Sequence, residues 1–244
     1  MIRVMTYNIR GGLGMDNRRS VARIADVIRA CGAQIVCLQE VHQRLPWSRM
    51  VDQPKWLGER LAMRFVFQRN LSFATGGFGN ALLTKFSILE TRSHRLTSVG
   101  EQRGLLETRL ETPDGLLTVF CTHLGLGKEE RVVQGREVAA VVNANEGPKI
   151  VCGDFNEDIS HPAVGALVAS TRLIDVSPGG EATFTSEQPS ERIDMILCDS
   201  SFRIESVARP RSTASDHLPV VADVLLSGSL DSDNAPNRAG LAED

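Results

Sequence analysis

The stretch that decides the fold is Lys149-Ile150-Val151-Cys152-Gly153-Asp154-Phe155-Asn156-Glu157. Its run of apolar residues predicts a short buried strand over 149–152, which Gly153 ends. An acid and an amide, Asp154 and Asn156, follow two residues apart, so both side chains point the same way from an extended backbone. Ligands and reacting groups collect at the carboxyl ends of such strands in α/β sheets. The pattern predicts a reaction site, although Gly, Asp and Asn are also ordinary turn residues.

Polar side chains recur directly after, within or just before other apolar segments of the chain. Besides the first pair, these residues are Asn8, Glu40, His123, Asp194, and Asp216 with His217. A charged group on a buried strand is costly unless it is paired or bound to a metal. Each of these residues alone is more often a structural polar group than a catalyst. Six such places in one chain indicate a shared site.

The predicted elements indicate a mixed α/β protein. The Pro113-Asp114-Gly115 turn predicts a hairpin, which excludes an all-parallel sheet because hairpin strands pair antiparallel. Helices are expected over 18–30, within 46–63, and over 128–142 and 161–169. Strands are expected over 2–7, 34–39, 65–68, 80–84, 103–112, 116–122, 149–152, 192–198, 202–207 and 219–226.

Composition excludes several classes of protein. The formal net charge of −3 gives no general basic field for nucleic acid or anionic membrane. The five cysteines are scattered without a CxxC pair, which favours a reducing compartment. No apolar run approaches the length of a membrane span, so we expect a cytoplasmic, soluble protein without membrane insertion. Residues 228–244 are polar and predict a disordered tail after a domain over 1–227.

The types of ligand atom available indicate which metal ion would bind. Carboxylates and amides are hard oxygen donors, which suit Mg²⁺ or Mn²⁺. Zinc prefers clustered Cys or His at short spacing, and the sequence contains no such cluster. Two histidines are available to move protons or to hydrogen-bond a phosphoryl oxygen. A hard cation, several carboxylates and two histidines indicate a hydrolytic site for phosphate esters.

Six motifs in order along the chain resemble those of the endonuclease/exonuclease/phosphatase superfamily. They are Thr6-Tyr7-Asn8, Leu38-Gln39-Glu40-Val41, Thr122-His123-Leu124, Gly153-Asp154-Phe155-Asn156, Arg192-Ile193-Asp194 and Ser215-Asp216-His217-Leu218-Pro219. The resemblance implies a DNase I-like, four-layered α/β/β/α sandwich, in which two packed mixed β-sheets are flanked by helices. It also implies a Mg²⁺- or Mn²⁺-dependent phosphoric ester hydrolase.

The resemblance also implies a role for each matching position. Glu40 is the expected principal metal ligand, with Asn8 and Asp216 on the metal or the phosphate. Asp154 orients or deprotonates the attacking water, and Asn156 holds the charge developing on phosphorus. His217, polarised by Asp194, contacts the phosphate or carries a proton. The remaining assignments are His123 on the phosphoryl oxygen or leaving group, Arg103 beside the phosphate and Asn80 lining the cleft.

Four functions stay open. The leading expectation is a phosphodiesterase that uses metal-assisted attack of water on phosphorus, followed by an endo- or exonuclease acting on DNA or RNA. A phosphatase of a phosphorylated lipid or sugar head group is the third, and a catalytically retired phosphate-binding module is the fourth. The segment Gly12–Asn17 partly matches a dinucleotide-binding fingerprint, but Asn17 replaces its third glycine and the fingerprint leaves the later acidic motifs unexplained.

The expected partner is a phosphoester substrate, either a small molecule or a nucleic acid, bound by a monomer. Apurinic-site endonucleases of the superfamily typically have a Tyr where this chain has His123. Tight duplex binding needs many phosphate contacts from Lys and Arg, and here 27 of those residues stand against 30 acids. We therefore expect a compact phosphoester, or a weakly bound nucleic acid.

Overall fold

A computed structural model of the protein describes residues 1–227, and the predicted tail over 228–244 lies outside the described residues. The four helices of the described chain are α1 (Val21–Cys31), α2 (Gln53–Leu61), α3 (Lys128–Asn143) and α4 (Pro162–Thr171). The strands are β1 (Ile2–Asn8), β2 (Ile35–Gln43), β3 (Arg64–Ser72), β4 (Gly77–Thr84), β5 (Ser87–Arg95), β6 (Gly104–Thr112), β7 (Gly115–His123), β8 (Lys149–Asp154), β9 (Ile174–Asp175), β10 (Asp194–Cys198), β11 (Phe202–Ala208) and β12 (Val220–Leu226).

Each of the two sheets has one parallel pair of strands at its centre. The strand orders are β11-β12-β1-β2-β4-β3 and β5-β6-β7-β8-β10-β9. The parallel pairs are β1 with β2 and β7 with β8, and every other pairing in these sheets is antiparallel. Both sheets are therefore mixed, and the predicted hairpin is confirmed as β6 and β7.

Three apolar clusters separate the protein into four layers. Residues of both sheets, such as Val4 and Val119, pack between the sheets. Their neighbours point the other way, because successive side chains of a strand alternate between faces. Met5 packs under α1 and α2, whereas Phe120 packs under α3 and α4. The expected four-layered sandwich is confirmed. No helix within residues 1–227 is long and apolar enough to cross a membrane.

Two of the strands that carry site residues extend further than the sequence indicated. The strand β8 continues through Gly153 to Asp154. A Cβ at Gly153 would lie 2.5 Å from the carbonyl oxygen of Thr122, so the glycine permits close strand contact and does not end the strand. The strand β2 continues past Glu40 to Gln43, with a register shift between Leu38 and Val41. Glu40 therefore lies on a β-bulge within the strand and not at its end.

Two further strands were missed. The edge strand β5 has the sequence SILETRSHR, in which polar and charged residues dominate and most side chains are exposed. Edge strands are protected by such charged residues, so the strand carries no apolar signal. The strand β9 has two residues, too few for any periodicity.

The topology brings eight strand ends to one edge of the sandwich. The parallel strands β1, β2, β7 and β8 all point their carboxyl ends toward this edge. Their antiparallel neighbours β12, β4, β6 and β10 consequently begin there, as the opposed pairs Gly104 with His123 and Asp194 with Asp154 show. The polar residues predicted from six separate motifs are thus delivered to the same place.

Candidate active site

Asp154 is the centre of the site and joins the two sheets. Its Oδ2 accepts a hydrogen bond from Asn8 Nδ2 at 2.9 Å, which links the carboxyl ends of β8 and β1. The same oxygen lies 3.4 Å from His123 Nε2 and 3.7 Å from His217 Nε2. Three residues predicted from separate motifs therefore converge on a single carboxylate oxygen of a fourth.

Glu40 reaches the same group through the bulge in β2. Its backbone has a φ of 55°, an uncommon conformation for a residue other than glycine. Its Oε1 accepts a hydrogen bond from Asn8 Nδ2 at 3.0 Å. Burial raises the pKa of Glu40, and the nearby charges of Asp154 and Asp216 act in the same direction. The Glu40 carboxylate thus lies in a buried, acid-rich place that a cation would stabilise.

Asn8 holds the two acids together. Its amide nitrogen donates to both Glu40 and Asp154, while its Oδ1 accepts the backbone N–H of Arg10 at 3.1 Å. In this arrangement the nitrogen of the Asn8 amide, and not the oxygen, faces the carboxylates. The expected role of Asn8 as an oxygen ligand of the metal stays a prediction.

His217 and Asp194 form a buried pair, as the sequence predicted. His217 Nδ1 lies 2.9 Å from Asp194 Oδ2. Burial alone would lower the pKa of His217, but the charges of Asp194 and Asp154 outweigh it and raise that pKa to about 10. At neutral pH His217 is therefore a cation. The Phe184 ring lies 4.9 Å from the imidazole ring, centroid to centroid.

His123 has the opposite electrostatic character. Burial lowers its pKa to about 3, and the positive charge of Arg103 adds to this effect. Arg103 Nη1 lies 3.0 Å from His123 Nδ1. Because a guanidinium can only donate, Nδ1 accepts this hydrogen bond and the proton of the neutral ring is assigned to Nε2, which faces Asp154. Arg103 also pairs with Glu101 at 2.6 Å.

Asn156 is fixed by its own loop. Its φ is 53°, its backbone N–H donates to Asp154 Oδ1 at 3.0 Å, and its Nδ2 donates to the carbonyl of Leu124 at 2.9 Å. The next residue, Glu157, is buried, accepts from Arg131 Nε at 2.6 Å and also accepts two backbone N–H groups of α4. Asn156 is thus held beside Asp154 by a rigid turn.

The two remaining predicted residues lie at the border of this group. Asp216 pairs with Arg10, with 3.2 Å between Oδ2 and Nε, and its neighbour Ser215 donates to the carbonyl of Asn8 at 2.8 Å. Asn80 is buried in the middle of β4 and donates to the carbonyl of Gly104, next to Arg103, at 3.0 Å. Both residues lie at the predicted edge of the sandwich.

Sequence reasoning missed Arg10 and Glu101 as neighbours of the site. Each pairs with a predicted residue, namely Asp216 and Arg103 respectively. Arg10 begins a short 3-10 helix and Glu101 lies in a loop, and neither segment has apolar periodicity. Their only sequence signal is proximity, since each stands two residues from a predicted site residue.

The group also contains a candidate set of metal ligands. Asp154, Asp194 and His217 each place one ligand atom within 4.8 Å of the others. Asp194 Oδ1 is buried and has no hydrogen-bond partner among the described residues. A protonated imidazole cannot bind a metal, so the raised pKa of His217 disfavours this histidine as a ligand. The carboxylates are the better donors.

Asp194→Asn should reproduce part of the defect of His217→Ala. The Asp194 carboxylate orients the His217 imidazole and keeps it charged, so the two residues act as a unit and their losses should not add. We expect each single variant to lower kcat/KM by about 10²-fold or more. The double variant should be little worse than the worse single variant. Additive losses in this double-mutant cycle would show that the pair does not function together.

Comparison with known proteins gives a consistent result. The sequence model of the Endonuclease/Exonuclease/phosphatase family matches residues 5–217. Uncharacterized protein YbhP of Escherichia coli (strain K12) is 31% identical over 246 residues, covering 92% of this chain and 96% of that protein. The crystal structure of an endonuclease/exonuclease/phosphatase from Beutenbergia cavernae DSM 12333 is similar with a TM-score of 0.79 and 26% identity, covering 93% of this chain and 72% of that one. A mannosyl-6-phosphatase of Bacteroides thetaiotaomicron VPI-5482 shares the fold, with a TM-score of 0.74, 21% identity, and coverage of 93% and 100%.

Proposed function

Because the chain belongs to the endonuclease/exonuclease/phosphatase family, we propose that it is a divalent-metal-dependent hydrolase whose substrate is a phosphodiester. The observation that carries this proposal is the convergence of Asn8, His123 and His217 on one oxygen of Asp154. A carboxylate held at this point can take the proton of a water molecule, and the two histidines beside it can donate hydrogen bonds to a phosphate.

The donor set fits a hard divalent cation. Glu40 and Asp216 offer carboxylate oxygens, and burial raises the pKa of Glu40 although the hydrogen bond from Asn8 and the charge of His217 act in the opposite direction. We assign Mg²⁺ or Mn²⁺ to Glu40 and Asp216. Ligation by Asn8 would require its amide to turn so that Oδ1 leaves the Arg10 N–H and faces the carboxylates. Such a cation supplies charge neutralisation of the phosphate and a water molecule of lowered pKa.

Asp154 and the residues around it have the remaining roles in the proposed hydrolysis. Asp154 Oδ2 accepts the proton of the attacking water, and the positions of Asn8 and Asn156 keep this carboxylate in place. The charged His217, neutral His123 and Arg103 donate hydrogen bonds to phosphoryl oxygens. The low pKa of His123 favours stabilisation of the phosphoryl oxygen over protonation of the leaving group, two roles that the sequence alone left open.

Two pockets that flank the site support a diester. One pocket, of about 360 Å³, includes Arg103 and is bordered by the apolar residues Val99 and Leu126. The other, of about 440 Å³, is polar and includes Asn156 and Lys128. A phosphodiester carries two organic substituents, and each pocket shares one residue with the site. The five free cysteines are consistent with action in the reducing cytoplasm.

A monoesterase acting on a sugar phosphate is the second candidate. The shared fold with a mannosyl-6-phosphatase supports it, since that protein is named for a sugar monoester. A monoester has one organic substituent and a more negative phosphate. It would fill only one of the two pockets.

A substrate panel with Mn²⁺ separates these functions. We expect kcat/KM for bis(p-nitrophenyl) phosphate to exceed that for p-nitrophenyl phosphate by about tenfold or more, because the diester fills both pockets and each tenfold step corresponds to about 1.4 kcal/mol. Glu40→Ala serves as the metal-site control. A preference for the monoester, or for inositol phosphates, would contradict the diesterase and support the phosphatase.

Binding of duplex DNA tests the alternative function of a nuclease. Asp154→Asn protein should bind duplex DNA weakly, since the chain has no excess of basic residues. Sub-micromolar affinity at physiological salt, with a salt slope corresponding to about six or more phosphate contacts, would favour a nuclease. Rapid cleavage of plasmid DNA or RNA, added to the substrate panel, would also favour a nuclease.

A further inference from the structure

Three large apolar side chains project from adjacent loops at the catalytic edge. Trp47 is 53% exposed, Met50 is 48% exposed and Phe73 is 42% exposed. The Trp47 and Phe73 rings meet edge to face, with centroids 5.3 Å apart and planes at 88°. We call these three residues the apolar patch. Adjacent exposed apolar residues of this size mark an interaction surface more often than isolated ones do.

The loops that carry the patch are rigid. The segment from Arg44 to Val51 closes on itself through backbone hydrogen bonds, and the buried Leu45 carbonyl accepts from both Ser48 and Met50. The β3–β4 turn is closed by reciprocal bonds between Phe73 and Gly76. A Cβ at Gly76 would lie 1.8 Å from the carbonyl of Gln43, so the turn packs directly against the other loop. The patch is therefore one preformed surface.

The patch borders the candidate active site. It follows the end of β2, the strand that carries Glu40. The ring of His42, two residues after Glu40, lies 6.3 Å from the Trp47 ring, and a Cβ at Gly11 would collide with it. Gln53 stabilises this region with two hydrogen bonds. Its Oε1 accepts the backbone N–H of His42, and its Nε2 donates to the Gly11 carbonyl. A surface bound to the patch would therefore lie next to the mouth of the site.

The charge around the patch is positive, although the whole chain is negative. Arg44, Arg49 and Arg69 stand against one acid, Asp52, in the segments 42–52 and 69–78, a local charge of +2. Arg49 is exposed and has no ion-pair partner among residues 1–227. Arg44 does form an ion pair, with its Nε 3.3 Å from Asp52 Oδ2. Exposed aromatic and Met side chains beside arginines are the composition of a surface that enters the interface of an anionic bilayer.

We propose that the apolar patch docks the protein peripherally on a bilayer containing anionic phospholipid. Trp47, Met50 and Phe73 enter the interface, and Arg49 contacts lipid phosphates. Single-stranded nucleic acid is disfavoured because bases stack on aromatic platforms in succession, whereas the Trp47 and Phe73 planes are perpendicular. The proposal concerns surface binding and is independent of the proposed hydrolysis.

Vesicle sedimentation tests this docking without any activity readout. The wild-type chain should bind vesicles of phosphatidylcholine with phosphatidylglycerol more tightly than vesicles of phosphatidylcholine alone. Trp47→Ser combined with Phe73→Ser should lower the partition coefficient about tenfold or more, since two half-exposed aromatic side chains are lost from the interface. Arg49→Gln should lower it about fivefold, the effect of one cation near an anionic surface. Leu116→Ser is the matched control, because Leu116 is 45% exposed but lies near the start of β7, at the opposite end of the sandwich.

Fluorescence provides a second, site-specific measurement. Trp56→Phe leaves Trp47 as the single tryptophan of the chain. Its emission should shift to shorter wavelength when anionic vesicles are added. Equal binding by the wild type and the double serine variant, no binding to either vesicle, or no spectral shift would overturn the proposal. Patch-dependent binding of an oligonucleotide in place of vesicles would overturn it in favour of a nucleic-acid surface.

Discussion

Asp154→Asn should lower kcat by about 10²- to 10⁴-fold while substrate affinity changes little, because it removes the proton acceptor but keeps the shape of the side chain. The amide oxygen can still accept the Asn156 backbone N–H, which now lies 3.0 Å from Asp154 Oδ1. The new amide nitrogen would face Asn8 Nδ2, another donor, so one hydrogen bond between the sheets is lost as well.

Steady-state kinetics with bis(p-nitrophenyl) phosphate check this prediction. Asp26→Asn is the matched control, since the side chain of that acid is exposed to solvent on α1. A loss confined to KM would show that Asp154 only positions the substrate. A loss of folding, seen as a lowered Tm, would instead mean that the bridge between the sheets is its main contribution.

Glu40→Gln should weaken Mn²⁺ binding by about 10²-fold or more. Changes in residues that merely orient metal ligands commonly cost 10- to 100-fold in affinity, so loss of a direct carboxylate ligand should cost at least as much. The Gln side chain keeps the acceptor for Asn8 Nδ2. Because burial raises the pKa of Glu40, its charged form costs folding free energy at neutral pH, and the neutral variant should melt at an equal or higher temperature in metal-free buffer.

Calorimetric titration with Mn²⁺ and a thermal melt measure the two effects separately. Glu59→Gln on the surface of α2 is the control. Unchanged Mn²⁺ affinity in Glu40→Gln would show that the metal is held elsewhere, for example at the group formed by Asp154, Asp194 and His217. A large fall in Tm would show that Glu40 supports the fold.

Most of the sandwich could be predicted from sequence because apolar residues mark the strands that lie in its interior. The central strands β1, β2, β7 and β8 are buried on both faces and read as apolar runs. The edge strand β5 could not be found this way, since its charged side chains face solvent. The layering itself came from the family resemblance. Periodicity shows that a strand is buried but not which sheet it joins.

Strand-end polarity predicted which side chains lie together better than it predicted the local backbone. Asp154 and Glu40 both lie within strands, one reached through a close glycine contact and the other on a bulge. Neither feature has a reliable sequence signal, because both depend on the neighbouring strand. The opposite charge states of His123 and His217 could not be predicted from the sequence either, since each depends on a residue distant along the chain.

Hydrolysis of bis(p-nitrophenyl) phosphate in H₂¹⁸O, with and without metal, tests the central claim most directly. The account predicts no turnover by the metal-free wild-type protein, and restored turnover with Mn²⁺ or Mg²⁺. The ¹⁸O should appear in the p-nitrophenyl phosphate and not in the p-nitrophenol, since water attacks phosphorus. Full turnover in excess EDTA, no turnover with either metal, or ¹⁸O in the phenol would contradict the account.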